Sequence, residues 1–307
     1  MKKKIILFSL FSLFLQSLYS NNQVIDSLKN ELENEVNKFK KIQLLNNIFN
    51  EQYPSDYKKA LAYAQDALEA SYKIKPVNKK VKRYISESEN NVGVGYLLLD
   101  DYEKSLKHLF LSLKIAEEIP DTVIMSNALC NISVVYDYQG NLEKSVFYLK
   151  KVINFDQLLG EIESVAIGYS SISANYFYEA DYENGMVYYE KALEIVNTLD
   201  DPSLLSNLYG NRAIGLNRTK QYKESIKYHM LAINIDEELN NKQGLETDYL
   251  NVADVYIKMG NNIKAIEYNI KSLELAKELK STSNIMLSYS GLSESYDQMG
   301  NKDKAIE

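Results

Sequence analysis

Asn91-Val-Gly-Val-Gly-Tyr96 is followed forty residues later by Asn131-Ile-Ser-Val-Val-Tyr136, and then by Ser171-Ile-Ser-Ala-Asn-Tyr176. Asn211-Arg-Ala-Ile-Gly-Leu216, Asn251-Val-Ala-Asp-Val-Tyr256 and Gly291-Leu-Ser-Glu-Ser-Tyr296 keep the same spacing without an insertion. About ten residues downstream each block carries a second match: Asp101-Tyr-Glu-Lys-Ser105, Asn141-Leu-Glu-Lys-Ser145, Asp181-Tyr-Glu-Asn-Gly185 and Gln221-Tyr-Lys-Glu-Ser225. Asn262-Ile-Lys-Ala265 and Asn301-Lys-Asp-Lys-Ala305 continue it, and Asp56-Tyr-Lys-Lys-Ala60 is an earlier, more divergent copy. Regular self-similarity of this length is the mark of a repeat architecture, in which each unit buries its apolar face only against its neighbours.

Within one block the pattern reads helix, tight turn, helix. Tyr182, Met186, Tyr189, Leu193 and Val196 are spaced by three and four, which keeps one face apolar. Turns fall at Gln139-Gly140-Asn141, Met259-Gly260-Asn261 and Met299-Gly300-Asn301, where glycine can take the left-handed conformation that ends a helix. Ile119-Pro120-Asp121 and Asp201-Pro202-Ser203 stop one helix and start the next. Three columns stay small: Gly93, Ser133, Ser173, Ala213, Ala253, Ser293; then Ser105, Ser145, Gly185, Ser225, Ala265, Ala305; then Ser112, Val152, Ala192, Ala232, Ser272. Paired helices must approach closely there, so the columns specify size rather than polarity. Gly93-Val-Gly95 lies inside a helix with no following Lys-Thr, so it is not a phosphate loop.

Taken together, the columns resemble the tetratricopeptide repeat family, over roughly residues 46–307. The resemblance implies an all-α fold, a right-handed α-solenoid of antiparallel helix pairs. It also implies that first helices line a concave groove and second helices form its back. Two features depart from the family pattern. The period is forty rather than the commoner ~34 residues, and the closing proline survives only as Pro120 and Pro202. The longer variety is similar to repeats of peptide-sensing regulators and kinesin light chains.

Composition agrees with a helical, soluble chain. Among 307 residues there are 12 Gly and 4 Pro, too few breakers for a strand-rich protein or a two-domain one. With 45% hydrophobic and 25% charged residues the chain is neither disordered nor an integral multi-span protein. Tyr, at 25 residues against no Trp, fills the large-aromatic role. One cysteine, Cys130, rules out an internal disulfide and reads as a small hydrophobe in a first helix. With only His108 and His229 beside it, a zinc site is not expected. The net charge of −7 argues against nucleic acid as a partner of this region.

Residues 1–20 have the three parts of a signal peptide: basic Met1-Lys2-Lys3-Lys4, an apolar stretch from Ile5 to Leu15, and a small-residue end at Ser20. The expectation is an exported protein, periplasmic or extracellular, with cleavage after Ser20; an uncleaved anchor is the other reading. The apolar core falls short of the ~20 residues a bilayer span needs, and no cysteine at its end invites a lipid. Removing the three lysines takes the net charge to −10.

Residues 21–90 are expected to hold an amphipathic lead-in helix (Ile25, Leu28, Leu32, Val36, Phe39, Ile42, within 22–45) and an irregular first repeat. Residues 91–307 are expected to form the array, five full repeats and a truncated sixth. The chain stops at Ala305-Ile306-Glu307, one turn into a second helix. An array ending there exposes an apolar face, so the natural polypeptide is expected to continue.

The groove is the candidate binding site. One column reads Asn91, Asn131, Ser171, Asn211, Asn251, with Asn46 in the irregular copy. An Asn amide can accept from one peptide N–H and donate to one C=O, so a ladder of them can hold an extended peptide irrespective of its side chains. Family resemblance points the same way, whereas the alternative is that these amides bridge neighbouring helices. Beside them run Val94, Val134, Ala174, Ile214, Asp254, Glu294 and Leu97, Asp137, Phe177, Asn217, Ile257, Asp297. Tyr138, Tyr178, Arg218 and Lys258 complete an aromatic and apolar middle with a basic edge, suited to a mixed peptide with aliphatic anchors. On the ladder reading, removing Asn131 and Asn211 together abolishes peptide binding without lowering the melting temperature.

Lys73, Lys75, Lys79, Lys80, Lys82 and Arg83 are read as a charged loop in the first connection. An anionic membrane surface or an acidic partner is the alternative. Glu117-Glu118 and Glu237-Glu238 face solvent late on second helices, and His108 and His229 are packing residues with no Ser, Cys or Asp placed to make a triad. No catalytic constellation is found, and no cofactor is expected. Two functions are left: an exported, non-catalytic scaffold that binds a protein or peptide segment, or the sensory region of a larger signalling protein. That protein would carry a C-terminal span, then a histidine kinase or helix-turn-helix part. A membrane tether would come only from the signal segment or that missing span.

Overall fold

The computed structural model describes residues 22–53, 56–279 and 281–306. The expected signal segment lies outside them. Every regular element among the described residues is an α-helix, and the chain divides into two compact units, one ending at Glu161 and the other starting at Ile162.

The first unit holds α1 (Asn22–Asn34), α2 (Lys38–Gln52), α3 (Tyr57–Tyr72), α4 (Lys79–Leu98), α5 (Tyr102–Glu118), α6 (Thr122–Tyr138) and α7 (Leu142–Leu159). The second holds α8 (Ile162–Tyr178), α9 (Tyr182–Leu199), α10 (Pro202–Arg218), α11 (Tyr222–Glu238), α12 (Lys242–Lys258), α13 (Asn262–Glu278), α14 (Thr282–Gln298) and α15 (Lys302–Ile306). Two expected boundaries move. The lead-in helix over 22–45 is broken at 35–37, where Asn37 caps α2 through Phe39 and Lys40 and Val36 turns outward, 94% exposed. The expected array start at Asn91 falls inside α4.

From Tyr102 onward a helix begins every twenty residues. Among the described turns from Asp100 onward, each places one residue at positive φ, and in several the next residue caps the new helix. Gly140, Gly160, Gly260 and Gly300 take that conformation at little cost, but so do Asp100, Ala180, Asp200, Lys220 and Asn240. The next residue accepts from the new helix: Asp101 from Lys104 N (3.2 Å), Asn141 from Lys144 N (3.1 Å), Asp181 from Asn184 N (3.1 Å), Asn241 from Gly244 N (3.2 Å).

Within a pair the small columns meet as expected by size. A Cβ on Gly93 would lie 2.7 Å from Leu109, and one on Gly185 would lie 2.2 Å from the Phe177 ring. Polarity matters there too, contrary to the sequence reading. Ser105 donates to the Gly93 carbonyl at 2.8 Å, Ser225 to that of Ala213 at 2.8 Å, and Ser293 to that of Ala305 at 2.7 Å. In α8–α9 the hydroxyl changes sides, Ser173 donating to Gly185 at 2.8 Å. The columns therefore combine close approach with a buried, satisfied hydrogen bond that fixes helix register.

Tyrosines clamp the other edge of each pair. Tyr136 stacks on Tyr148 (5.6 Å, 5°), Tyr176 on Tyr188 (5.8 Å, 13°), Tyr256 on Tyr268 (5.7 Å, 24°), and His108 takes the second place against Tyr96 (5.5 Å, 17°). Lysines lie over several of these rings, Lys144 4.8 Å from the Tyr136 centroid among them.

Inside each unit, first helices of successive pairs touch: α2 with α4 and α4 with α6, then α8 with α10, α10 with α12 and α12 with α14. The second helices, α3, α5, α7 and α9, α11, α13, make no such approach to one another. Helices crowded on one side and splayed on the other form a curved α-solenoid segment with first helices on the inner face.

Candidate functional site

The first-helix face of each unit is built by residues three and four apart on successive inner helices. The Asn column lies there and its amides reach between helices. Asn91 donates to Asn46 Oδ1 across α4 and α2 (3.2 Å), and Asn131 to Asn90 Oδ1 across α6 and α4 (3.0 Å). Asn211 donates to Ser170 Oγ across α10 and α8 (3.1 Å). Asn211 is 8% exposed, Asn91 and Asn131 are half-buried, and Asn251 is half-buried on α12. The bridging alternative is what the geometry displays, and each bridging amide has used a donor on its neighbour.

Other predicted residues divide sharply. Phe177 is 0% exposed, wedged against Gly185 and Gly215 and packed on Tyr182 and Tyr189; it is a core residue and is withdrawn from the groove. Leu97, Val134 and Asp137 are buried as well. Tyr138 remains at the surface of the first unit, tilted on Tyr102 at 6.3 Å.

In the second unit the face opens. Ala174, Tyr178, Ile214, Asn217 and Ile257 are half-buried and Arg218, Asp254 and Lys258 exposed. Arg218 stacks over Tyr178 with its guanidinium carbon 4.1 Å from the ring centroid. Lys258 pairs with Asp254 at 2.5 Å, and Asn217 donates to the same carboxylate at 2.8 Å. The structure thus brings Tyr178, Asn217, Arg218, Ile257 and Lys258 to one face as a charged and aromatic strip over aliphatic residues. Peptide-recognition surfaces use such a combination.

Sequence reading missed the partners of both histidines. His108 Nδ1 lies 2.5 Å from Glu89 Oε2, and Tyr72 donates to the other oxygen of that 2%-exposed carboxylate at 2.7 Å. His229 Nδ1 lies 2.8 Å from Asp248 Oδ1, so the expectation that no Asp attends it is corrected. Sequence separation of nineteen in both cases matches no helical period, and that hid them. His229 is fully buried, so its dyad has no route to a substrate in solution. Burial likewise lifts the Cys130 thiol to about 12, leaving it a poor nucleophile.

The basic cluster is not one loop. Only Lys73 and Lys75 lie in the connection, whereas Lys79, Lys80, Lys82 and Arg83 start α4. Lys73 pairs with Glu69, Lys82 with Glu118 (2.8 Å), Arg83 with Asp121 (3.2 Å), and Lys80 covers Phe39 (4.2 Å). Among the described residues no helix is long and apolar enough to cross a membrane, and no three His, Cys, Asp or Glu side chains are grouped to hold a metal.

Residues 84–157 and 245–307 match the tetratricopeptide repeat model. No curated protein matches the chain significantly by sequence. Among solved structures it is similar to aspartyl phosphate phosphatase F of Bacillus subtilis, with 17% identity and a TM-score of 0.65 over 87% of this chain and 68% of that one. A Rap protein complexed with Competence and Sporulation Factor is 15% identical at a TM-score of 0.65, over 96% and 92% of the two chains. The Pyrococcus horikoshii STAND signal-transduction ATPase with a tetratricopeptide repeat sensor is 16% identical at 0.62, over 96% of this chain and 48% of that one. At such identities the likeness is one of fold. None of these findings indicates a catalytic family for the chain.

Proposed function

We propose that this chain is an exported, non-catalytic scaffold that binds a protein or peptide segment on its first-helix faces, chiefly that of the second unit. The strip of Tyr178, Asn217, Arg218, Ile257 and Lys258 carries the reading: these side chains are not used up by the core and line one face. Asn91, Asn131 and Asn211 support it as spacers of the inner helices, and each retains capacity for a further bond. A neighbour of the same fold is complexed with a factor, which agrees with this use of the fold. Selection of peptides from a random display library against residues 21–307 tests the reading. Selected peptides should lose at least tenfold in affinity when Arg218 and Lys258 are both changed to Glu. Changing Lys223 and Lys227, exposed on α11, to Glu should leave affinity as it was. The opposite pattern contradicts the reading.

A second reading makes the same face the sensory part of a larger signalling protein. It is favoured by the neighbour that carries its repeats as a sensor. Sequencing the native transcript beyond the codon for Glu307 separates the two. A continuation into a hydrophobic span and a second domain supports the sensory reading, whereas a stop within one or two helices supports the free scaffold. Export through residues 1–20 is tested by N-terminal sequencing of the secreted protein, with cleavage expected after Ser20.

A further inference from the structure

Phe110, Phe147 and Leu158 lie in columns that face solvent on the second helices. Phe147 on α7 shares its column with Lys107, Val187, Lys227 and Glu267, and is 51% exposed. Phe110 on α5, exposed as well, stands where later blocks hold Lys150, Glu190, Met230 and Ile270. Leu158, near the end of α7 and 84% exposed, takes the place of Glu118, Thr198, Glu238 and Glu278. The core does not call for these side chains, and apolar surface that gathers in water marks an interaction site. Here it gathers: Tyr148 joins the two rings, edge-on at 5.1 Å from Phe147 and 6.1 Å from Phe110. Phe147, Lys151 and Leu158, four and seven residues apart, continue one stripe of α7 about 16 Å long.

The charge around them is of one sign. From Lys104 to Ala116 on α5 and from Lys144 to Phe155 on α7 there are six lysines and no Asp or Glu, in a chain of net charge −7. Carboxylates stand at the helix ends: Glu103 and Glu143 in the first turns, Glu117 and Glu118 in the last of α5. Asp156 on α7 is buried and accepts from Ser126 at 2.9 Å. Over the same stretch the later second helices mix signs, with Glu190, Glu194 and Lys191 on α9, Glu224 and Lys227 on α11, and Glu267, Glu274, Lys264 and Lys271 on α13. Lys107 and Lys114 flank Phe110, and Lys151 lies 4.7 Å from the Phe147 centroid.

We propose that this outer face of α5 and α7 docks on an anionic lipid surface. The two helices do not close on one another, so the rings protrude from the splayed side of the unit and line no groove. Peptides are held in grooves and pockets. A bilayer instead accepts protruding apolar side chains at its interface, with lysines that keep their ammonium groups among the head groups. Phe110, Phe147 and Leu158 enter the interface, and Lys107, Lys114 and Lys151 meet the lipid phosphates. The contact is peripheral, since no described helix is long and apolar enough to cross. It uses second helices of the first unit and does not rest on the peptide-binding reading.

Residues 21–307, which hold every helix described, are floated with vesicles of phosphatidylcholine alone and of phosphatidylcholine and phosphatidylglycerol in equal parts, at low and high sodium chloride. At least tenfold more protein is expected on the anionic vesicles at low salt, and most of that difference should vanish at high salt. Phe147→Trp supplies a single tryptophan, since the chain has none, and its emission should shift to the blue on anionic vesicles. Phe110→Ser with Phe147→Ser should cut binding at least fivefold. Lys107→Glu with Lys151→Glu should cut it at least tenfold, and serves if the serine variant does not fold. Lys223→Glu with Lys227→Glu, an equal change of charge on α11, should bind as wild type does. Equal binding to both vesicles, an unshifted tryptophan, or undiminished binding by the Lys107 and Lys151 variant overturns the proposal. So does a wild type that ignores vesicles but binds a glutamate-rich peptide containing phenylalanine, which would assign the face to an acidic protein segment.

Discussion

Phe177 has glycine on two sides of its ring, Gly185 on α9 and Gly215 on α10. A methyl group at 185 would stand 2.2 Å from the ring, and the ring has nowhere to move. Gly185→Ala is therefore expected to cost about 1–3 kcal/mol through overpacking, against the gain an alanine normally brings to a helix interior. Urea unfolding measures it; a stabilised variant would contradict the packing described. Asp236, 3% exposed, gives a residue-scale pH dependence. Burial, reinforced by the neighbouring Asp248 carboxylate, pushes its carboxyl up to about 6, while Asn241 and Ser206 pull the other way. A raised carboxyl favours the folded state only while protonated. Its contribution is complete below the unfolded value near 3.8 and is lost as pH rises through about 6. Stability of the second unit should thus fall by roughly 1 kcal/mol between pH 5 and pH 7. Asp236→Asn should flatten that slope, as chemical denaturation at several pH values would reveal. Phe177 also marks the limit of column reading. Its column carries Leu97 and Asp137, which are buried as well, and Asn217 and Ile257, which are half-buried, so the column alone does not say which member goes inward.

Turns and inter-helix bridges belong to the scale of elements. Five of the left-handed turn positions hold Asp, Ala, Lys or Asn, so glycine spacing alone reveals fewer turns than there are. The helix pairs and small columns were legible because they repeat; the twenty-residue turn rule was not, because the backbone imposes it on unrelated side chains. Lys220→Gly, at φ 64, should stabilise by about 1 kcal/mol, and Gly260→Ala, at φ 73 with nothing within 4 Å of the added carbon, should destabilise by a similar amount. Thermal melts of both variants test whether backbone conformation alone sets these positions. Bridging by Asn131 and Asn211 reverses one half of the ladder expectation. Because each amide joins two inner helices, changing both to Ala should lower the melting temperature by several degrees, from about 1 kcal/mol per lost bond. An unchanged melting temperature would return them to the role of free groove amides.

Across the whole molecule the two units differ in one core column. Leu109 and Leu149 occupy it in the first, and Tyr189, His229 and Asn269 in the second. Each polar member needs a specific neighbour, as His229 needs Asp248. In a linear array, stability is a sum of repeat and nearest-neighbour terms, and buried polar pairs contribute less than apolar packing of the same volume. Amides of α10–α13 are therefore expected to exchange with solvent sooner than those of α4–α7, and equal or inverted protection would contradict that ordering. The all-α pairing was written in the forty-residue columns. The open strip was only partly so, because exposure along a first helix depends on what the next helix covers.

Site-specific photocrosslinking tests the central claim, a binding face on the first helices, most directly. A benzophenone side chain is placed at 218 on the strip and, separately, at 227 on α11, and each protein is exposed to a peptide selected by the wild-type chain. Crosslinks from position 218 and none from 227 are predicted. Crosslinks from 227 with none from 218 would place binding on the second helices and contradict the account.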